Sequence, residues 1–527
     1  MKRGRENGLL DHNLTWQWAL CVSPAYMRRQ RGSKDPRTSP LFGAQWEAMA
    51  NMHQMHCWFQ SFFTSSHRTV TLRTFAGRIM YHTVDPVNVH YILKDNFQNY
   101  PKGERVHSVL HDFMGDGIFN SDGKIWRKHR KIASFEFSNR KLKQMSLTTF
   151  RRDALRLLHL LHTFATSRHS DLFMRMTMDS LCKLLFGMDG QNLESRLPED
   201  PFGKAFDNFN DIIITRRVNP FWKIQRALNM GKEKIVNENL EVLNSLISNI
   251  IEKRKENMSV QVRSNAQKAD ELLSRFMQYN EADYQKTYHE RELRDFIVNF
   301  KVAGRDTTAI ALSWFIYCIC KHPHVAEKIR RETAEFLSLE NDHNMEVEET
   351  ANKLDYECLA RMNYLHASIR NPSTLPTSSQ VIFYFNINLC VGDGKTVLKD
   401  DVLPDGTYVK RGAQISYVPY SMGRMEFLWS PDALEYKPER WLKDGAFQPE
   451  SPFKFTAFQA GPRMCLGKDY AYVQMTMTAS LLLHFFRFDL VDNGDVKYRV
   501  MMIMPIAGGL NECLPNSFYI RWKTCDT

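Results

Sequence analysis

Apolar and polar positions alternate along Thr69–Phe75 (TVTLRTF) and again along Arg78–Thr83 (RIMYHT). That period of two, broken at Ala76-Gly77, predicts a β-hairpin. Asp85-Pro86 supplies a cap and a first-turn proline, and Val89, Ile92 and Leu93 carry a helix onward. From about residue 140 to about 370 the period becomes helical, as in Leu240, Leu243, Ile247 and Ile250/Ile251. Arg254–Asp270 is polar and charged, and predicts an exposed connection. Another helix is predicted from about Glu290 to Lys321, apolar through Ala309–Cys320 and ended by His322-Pro323. Val402–Gly406 and Tyr408–Tyr420 read as strand and turn, Tyr470–Phe486 as a long helix, and the C-terminus as strand-rich. No internal repeat appears. The fold class expected is mainly α with a smaller β part (α+β).

Composition changes this picture little. The chain has 527 residues, 43% hydrophobic, with a net charge of +11. That is a folded protein, long enough for two packed lobes or one large domain. The 10 cysteines form no C-x-x-C pair, which argues against a structural zinc site and a disulfide scaffold and favours a reducing environment. No window reaches the roughly 20 apolar residues of a membrane span. Leu14–Met27 is too short and too polar, and reads as a solvated tail rather than a membrane-surface contact. The positive charge is diffuse and lacks interleaved aromatics, so nucleic acid is excluded as a partner. An acidic protein or an anionic lipid surface suits it better. His53, His56 and Cys57 find no matching ligand pair elsewhere and read as amphipathic-helix contacts.

The sharpest chemical signal is Phe458-Gln459-Ala460-Gly461-Pro462-Arg463-Met464-Cys465-Leu466-Gly467. A free cysteine is usually a packing residue. Here Gly461 and Gly467 permit tight turns and close approach of a flat ligand. Cys465 precedes a helix beginning near Lys468, whose amides would stabilise a thiolate. Arg463 offers a cation to an anionic group, and Phe458 a ring to pack beside the ligand. Such a thiolate suits the axial position of haem iron, where its electron donation favours O–O cleavage.

Ala303-Gly304-Arg305-Asp306-Thr307-Thr308-Ala309 lies inside the helix ending at Lys321. A mid-helix glycine costs about 1 kcal/mol relative to alanine, so Gly304 calls for a reason. A ligand approaching the backbone beside Ala303 and Gly304 supplies one. Asp306 and Thr307, an acid and an alcohol side by side, can relay protons; the plain alternative is a pair of solvent-facing polar residues. Trp126 and Arg130, four apart on a basic helix, share a face and both donate to carboxylates.

The spacing F-x-x-G-x-R-x-C-x-G resembles the haem-binding element of the cytochrome P450 family. The helix element resembles the family's A/G-G-x-D/E-T, Trp126 and Arg130 its W-x-x-x-R, and Pro438-Glu439-Arg440-Trp441 its P-E-R-F. The separation of Thr307 from Cys465 is also one the family shows. AGRDTTA, DGIFNSDGKIWRKHRKIASFEF and FKFTAFQAGPRMCLGKDYAY are similar to plant enzymes that hydroxylate long-chain fatty acids at the ω position. The resemblance implies a helix-rich lobe and a small β-rich lobe around a buried haem b (iron protoporphyrin IX). Cys465 would be the iron ligand, and Phe458, Gly461, Arg463, Gly467, Ala303, Gly304, Trp126 and Arg130 would hold the cofactor. Thr307 would hold a water on the oxygen side and Asp306 would feed protons. It further implies a monomeric monooxygenase on the cytosolic face of the endoplasmic reticulum membrane. Electrons would come from NADPH through NADPH–cytochrome P450 reductase, with a long-chain fatty acid as substrate. A haem-thiolate isomerase or dehydratase is a weaker reading, opposed by the retained Asp306-Thr307. The implied domain is 43–527, after an irregular segment 1–42 without a clear transmembrane helix; the basic chain is compatible with peripheral membrane contact.

One family element is missing. After Tyr364–Ala367 an E-x-x-R helix is expected, and the chain reads Ser368-Ile369-Arg370-Asn371-Pro372 instead. Residues 371–390 carry no charge, and Val391–Lys399 rejoins the family pattern. Glu327 and Arg330 lie too far upstream to substitute and read as chance surface pairing. In the family the Glu and Arg form a buried ionic network with an arginine like Arg440. Losing such partners is expected to cost on the order of 3–5 kcal/mol. The segment reads as an alternative splice or misread intron, and the absent anchor fits an incomplete gene model. The alternative function is therefore a non-catalytic, unstable variant of such an enzyme.

Overall fold

The computed structural model describes residues 43–527 except 139, 164–169, 191, 194–200, 264–271, 275, 278–289, 338–346, 371–392, 491–505, 507–519 and 525–527. The expectations for 1–42 and 371–390 lie outside the described residues.

The expected hairpin is present as β1 (Thr69–Arg73) and β2 (Ile79–Thr83), antiparallel with Thr69 opposite Thr83. Its alternation buries Val70, Leu72 and Met80. Asp85 then caps Pro86–His90 by accepting the Val87 amide at 2.8 Å. After β3 (Asp393–Thr396), β4 (Asp401–Val402), β5 (Tyr408–Val409) and β6 (Gln414–Tyr417), the main sheet has the order β1-β2-β6-β3. β6 pairs parallel with β2 and antiparallel with β3, and all four of its residues are buried. β4 pairs with β5, β7 (Leu442–Lys443) with β8 (Ala446–Phe447), and β9 (Phe486–Leu490) with β10 (Ile520–Thr524).

The helices that frame the site are α1 (Gly103–Met114), α2 (Gly123–Phe137), α3 (Arg140–Thr163), α4 (Ser170–Phe186), α5 (Glu290–Lys321), α6 (Asn363–Ile369) and α7 (Lys468–Phe485). α5 lies along α4, α4 along α3, and α3 along α7. α7 is apolar nearly all round, with Met475, Met477 and Leu481–Leu483 buried, and so runs through the core. Its buried hydroxyls turn back on the helix itself. Thr476 donates to the Tyr472 carbonyl at 2.7 Å and Ser480 to that of Met477 at 3.0 Å. His322-Pro323 ends α5 where expected, and the next helix starts on the proline, Pro323–Leu337.

Two expectations need correction. The helix Ile235–Arg263 carries through the first half of the supposed connection, and Arg254 is buried with Nε donating to Ser274 Oγ. Lys, Glu and Gln are good helix formers, so a polar run does not by itself predict a loop. Secondly, Glu327 and Arg330 are 3.4 Å apart, but Arg330 is half-buried and also anchored to the core: Nε donates to the Leu483 carbonyl of α7 at 3.0 Å. His56 is fully buried, stacked 5.1 Å from the Tyr420 ring, a packing role rather than a ligand's. Among the described residues no helix is long and apolar enough to cross a membrane.

Candidate functional site

The loop between Phe458 and Gly467 folds on itself before α7. The Cys465 amide donates to the Phe458 carbonyl at 2.9 Å, and Gln459 (φ 61°) and Gly461 (φ 66°) make the reversal. A Cβ at Gly461 would stand 2.1 Å from the Leu93 carbonyl oxygen. Glycine is needed there to seat the loop on its neighbour. The Phe458 ring packs in the core, 4.8 Å from Tyr472, and supports the loop from behind.

Cys465 lines a cavity of about 1290 Å³ of space between atoms, part of it open to solvent. α2, α4, α5 and the start of α7 wall it in. Burial pushes the thiol up to about 12, against the Gly467 amide and the Arg130 guanidinium, which both favour the thiolate. The expected stabilisation by helix amides is thus outweighed by desolvation. A coordinating metal ion removes that proton outright.

Trp126 and Arg130 line the same cavity from α2, and Arg463 from the loop. The Arg463 guanidinium lies 4.4 Å over the Trp126 ring and donates to the Ser121 carbonyl at 3.0 Å and Asp122 Oδ1 at 2.5 Å. Asp122 also accepts the Gly103 amide at 2.8 Å and that of Lys102 at 3.2 Å. One carboxylate thereby ties the starts of α1 and α2 to the cysteine loop. Lys102 lines the cavity too, with Nζ donating to the Phe119 carbonyl. Arg130 is held below its ordinary value by burial and by Arg463, with Cys465 acting the other way.

From α5 the cavity receives Ala303, Gly304, Thr307 and Thr308. A Cβ at Gly304 would stand 2.1 Å from Leu181 Cδ1, so this glycine also lets α4 and α5 pack closely. Thr307 Oγ1 donates to the Ala303 carbonyl at 2.6 Å. Asp306 is not among the lining residues; it is buried beside Arg305, with Nη1 to Oδ1 at 3.1 Å. At 3% and 2% exposure, Asp306 and Thr307 are not a solvent-facing pair. Eight residues singled out in the sequence therefore meet at one cavity: Trp126, Arg130, Ala303, Gly304, Thr307, Arg463, Cys465 and Gly467. Asp306, Phe458 and Gly461 stand behind its walls. Sequence reasoning missed Lys102, Asp122 and the apolar wall of Phe119, Leu181 and Phe300. Asp122, one residue before the α2 glycine, was the legible one, as an acid at a helix start.

The loss of E-x-x-R has a milder local consequence than expected. Arg440 donates to the carbonyls of Trp429 (2.8 Å), Asp432 (2.8 Å) and Glu435 (3.2 Å) and lies 3.4 Å from the Asp432 carboxylate. Its charge is compensated; Nε alone has no partner among the described residues. Arg370, at the end of α6, lies 3.5 Å over the Tyr472 ring, beneath the cysteine loop.

A cysteine loop, a long helix with an alcohol, and an arginine-edged cavity are the arrangement expected of a haem-thiolate oxygenase. The sequence model described as Cytochrome P450 matches residues 34–371 and 389–506, and the chain belongs to that family of monooxygenases, whose prosthetic group is haem iron. It is 42% identical over 510 residues to Cytochrome P450 704B1 of Arabidopsis thaliana, covering 91% of this chain and 94% of that protein. To Cytochrome P450 704C1 of Pinus taeda it is 40% identical over 502 residues, covering 92% and 93%. To Cytochrome P450 86B1 of Arabidopsis thaliana it is 38% identical over 441 residues, covering 81% and 76%. The residues present fit the family's group: a sulfur donor faces the cavity, and an indole and three cations ring it.

Proposed function

We propose that the chain is a monooxygenase of long-chain fatty acids that acts at the ω carbon. Haem b would be held by Cys465, and electrons would come from NADPH–cytochrome P450 reductase. The observation that carries this reading is the cavity itself, with Cys465 at one wall and the apolar Ile118, Phe119, Leu181, Leu185 and Phe300 at others. An alkyl chain gains about 0.8 kcal/mol per buried CH₂ against such walls. The bound group supplies the oxygen activation. Trp126, Arg130 and Arg463 would take its carboxylates, with Lys102 beside them.

The chain's own residues do the rest. The apolar walls hold the substrate and exclude water. The Thr307 hydroxyl, now turned to the Ala303 carbonyl, would exchange that bond for a water and hold a proton at Oγ1. Asp306, buried one residue away, would feed protons from behind the helix. Exposed Phe221, Ile224, Leu228 and Met230, on and around the helix Trp222–Ala227, support peripheral contact with the endoplasmic reticulum membrane.

Incubation with reductase, NADPH, O₂ and long-chain fatty acids, read by mass spectrometry, tests the reading. A terminal hydroxy acid is expected. Oxygen at an in-chain carbon, or no product from haem-loaded protein, would overturn it.

A second reading, a non-catalytic variant, is favoured by one observation. The family match skips residues 372–388. Replacing 371–390 by the corresponding stretch of the Arabidopsis 704B1 relative separates the two. Haem uptake only after replacement supports the variant; equal uptake by both proteins rejects it.

A further inference from the structure

His107 and His111 lie four residues apart on α1, on one helix face, with ring centroids 4.8 Å apart. Just past the helix end, Asp116 returns to the same face. Its Oδ1 lies 2.7 Å from His107 Nε2. One ligand atom from each residue lies within 4.8 Å of those of the other two. Donors around a tetrahedral ion sit about 3.3 Å apart, so small side-chain rotations close the set.

The backbone already holds this arrangement. Gly115 takes φ 54°, and a Cβ there would fall 2.0 Å from Asp295 Oδ2. The Asp116 amide donates to the same oxygen at 2.9 Å. Asn120 Nδ2 donates to the His107 carbonyl at 3.1 Å and to that of Gly115 at 2.8 Å. Little ordering is left for a ligand to impose. Glu104 Oε2 stands 3.9 Å from His107 Nδ1, near enough that a side-chain rotation would let it accept a hydrogen bond from Nδ1–H when Nε2 binds a metal. Asp116 and His111 are exposed, so an ion arrives from solvent and keeps water in its remaining positions.

We propose that His107, His111 and Asp116 form a surface site for one divalent transition-metal ion, with Zn²⁺ best suited to two imidazoles and a carboxylate. An ion held there fastens the end of α1 to the turn that supplies Ile118 and Phe119 to the cavity. The Phe119 amide in turn bonds Asn299 Oδ1 of α5 at 3.0 Å. The site does not depend on the catalytic reading.

Zinc titration of the full chain, freed of any polyhistidine tag and followed calorimetrically, tests this. One equivalent binding in the micromolar range is expected. H111A and D116N should each weaken it at least about tenfold, and H107A/H111A should abolish it. Far-ultraviolet circular dichroism checks that each variant keeps its helicity, and D116N leaves both imidazoles and the fold in place if a histidine variant fails. No binding to the parent chain, or binding undiminished in H107A/H111A and in D116N, would overturn the proposal.

Discussion

Asp122→Asn separates the two roles of Arg463. In the structure the Asp122 carboxylate receives that guanidinium at 2.5 Å, and the amides of Gly103 and Lys102 at 2.8 and 3.2 Å. The asparagine keeps the volume and one carbonyl acceptor but removes the charge. Arg463 is only 8% exposed, whereas Asp122 keeps 29% of its side chain in solvent. Breaking a fully buried pair costs about 3–5 kcal/mol, and an exposed one about 1 or less. The intermediate setting puts the loss at about 2–3 kcal/mol in protein prepared without haem. With haemin bound, a propionate would offer Arg463 a second anion, so the loss should fall below about 1 kcal/mol. Urea unfolding followed by tryptophan fluorescence, on both preparations of parent and variant, gives the comparison. Equal destabilisation in the two preparations would refute the assignment of Arg463 to the cofactor's anionic edge.

Gly461→Ala should destabilise the chain by about 2–4 kcal/mol, since the new methyl meets the Leu93 carbonyl in a backbone conformation alanine avoids; an unchanged unfolding midpoint would contradict the packing argument. Acid should weaken the fold between pH 6.5 and about 3, because burial lowers His56 and His82 to about 3. The unfolded chain takes up those protons throughout this window while the fold refuses them, so stability falls as pH drops, by about 2 kcal/mol per histidine at pH 5. His82→Asn, measured by urea unfolding at pH 7 and pH 5, should remove its share; an unaltered pH slope would reject this. Thr307→Ala should lower the hydroxylation rate by about 10²-fold with substrate affinity kept, whereas Thr307→Ser should keep most of the rate. A rate insensitive to both changes would remove Thr307 from proton handling.

The chemistry was legible wherever it was local. The Phe458–Gly467 loop, the α5 element and Trp126/Arg130 each sit within a few residues of sequence, and eight of their residues meet at the cavity. What escaped was set by packing across the fold. Asp122 and Arg463 are 341 positions apart, and no periodicity announces such a pair. Gly461 was expected to allow a tight turn and the approach of a flat ligand; the turn is present at φ 66°, and the close contact with the Leu93 carbonyl was not foreseen. Asp306 follows from helix geometry: one residue from Thr307 turns its side chain about 100° away, off the cavity face. Arg254 misled through its polar neighbours, because exposure depends on what packs opposite, in its case Ser274. The unfavourable forecast for Arg440 assumed that carboxylates were its sole means of compensation, whereas three backbone carbonyls serve it.

All of this chemistry requires that Cys465 donate its sulfur to haem iron. The CO difference spectrum of the purified, haemin-supplied chain, reduced protein with CO minus reduced protein without it, is the test, with Cys465→Ser as control. A thiolate-type Soret band that vanishes in the variant is predicted. Protein that takes up no haem, or a band that survives the substitution, would contradict the account.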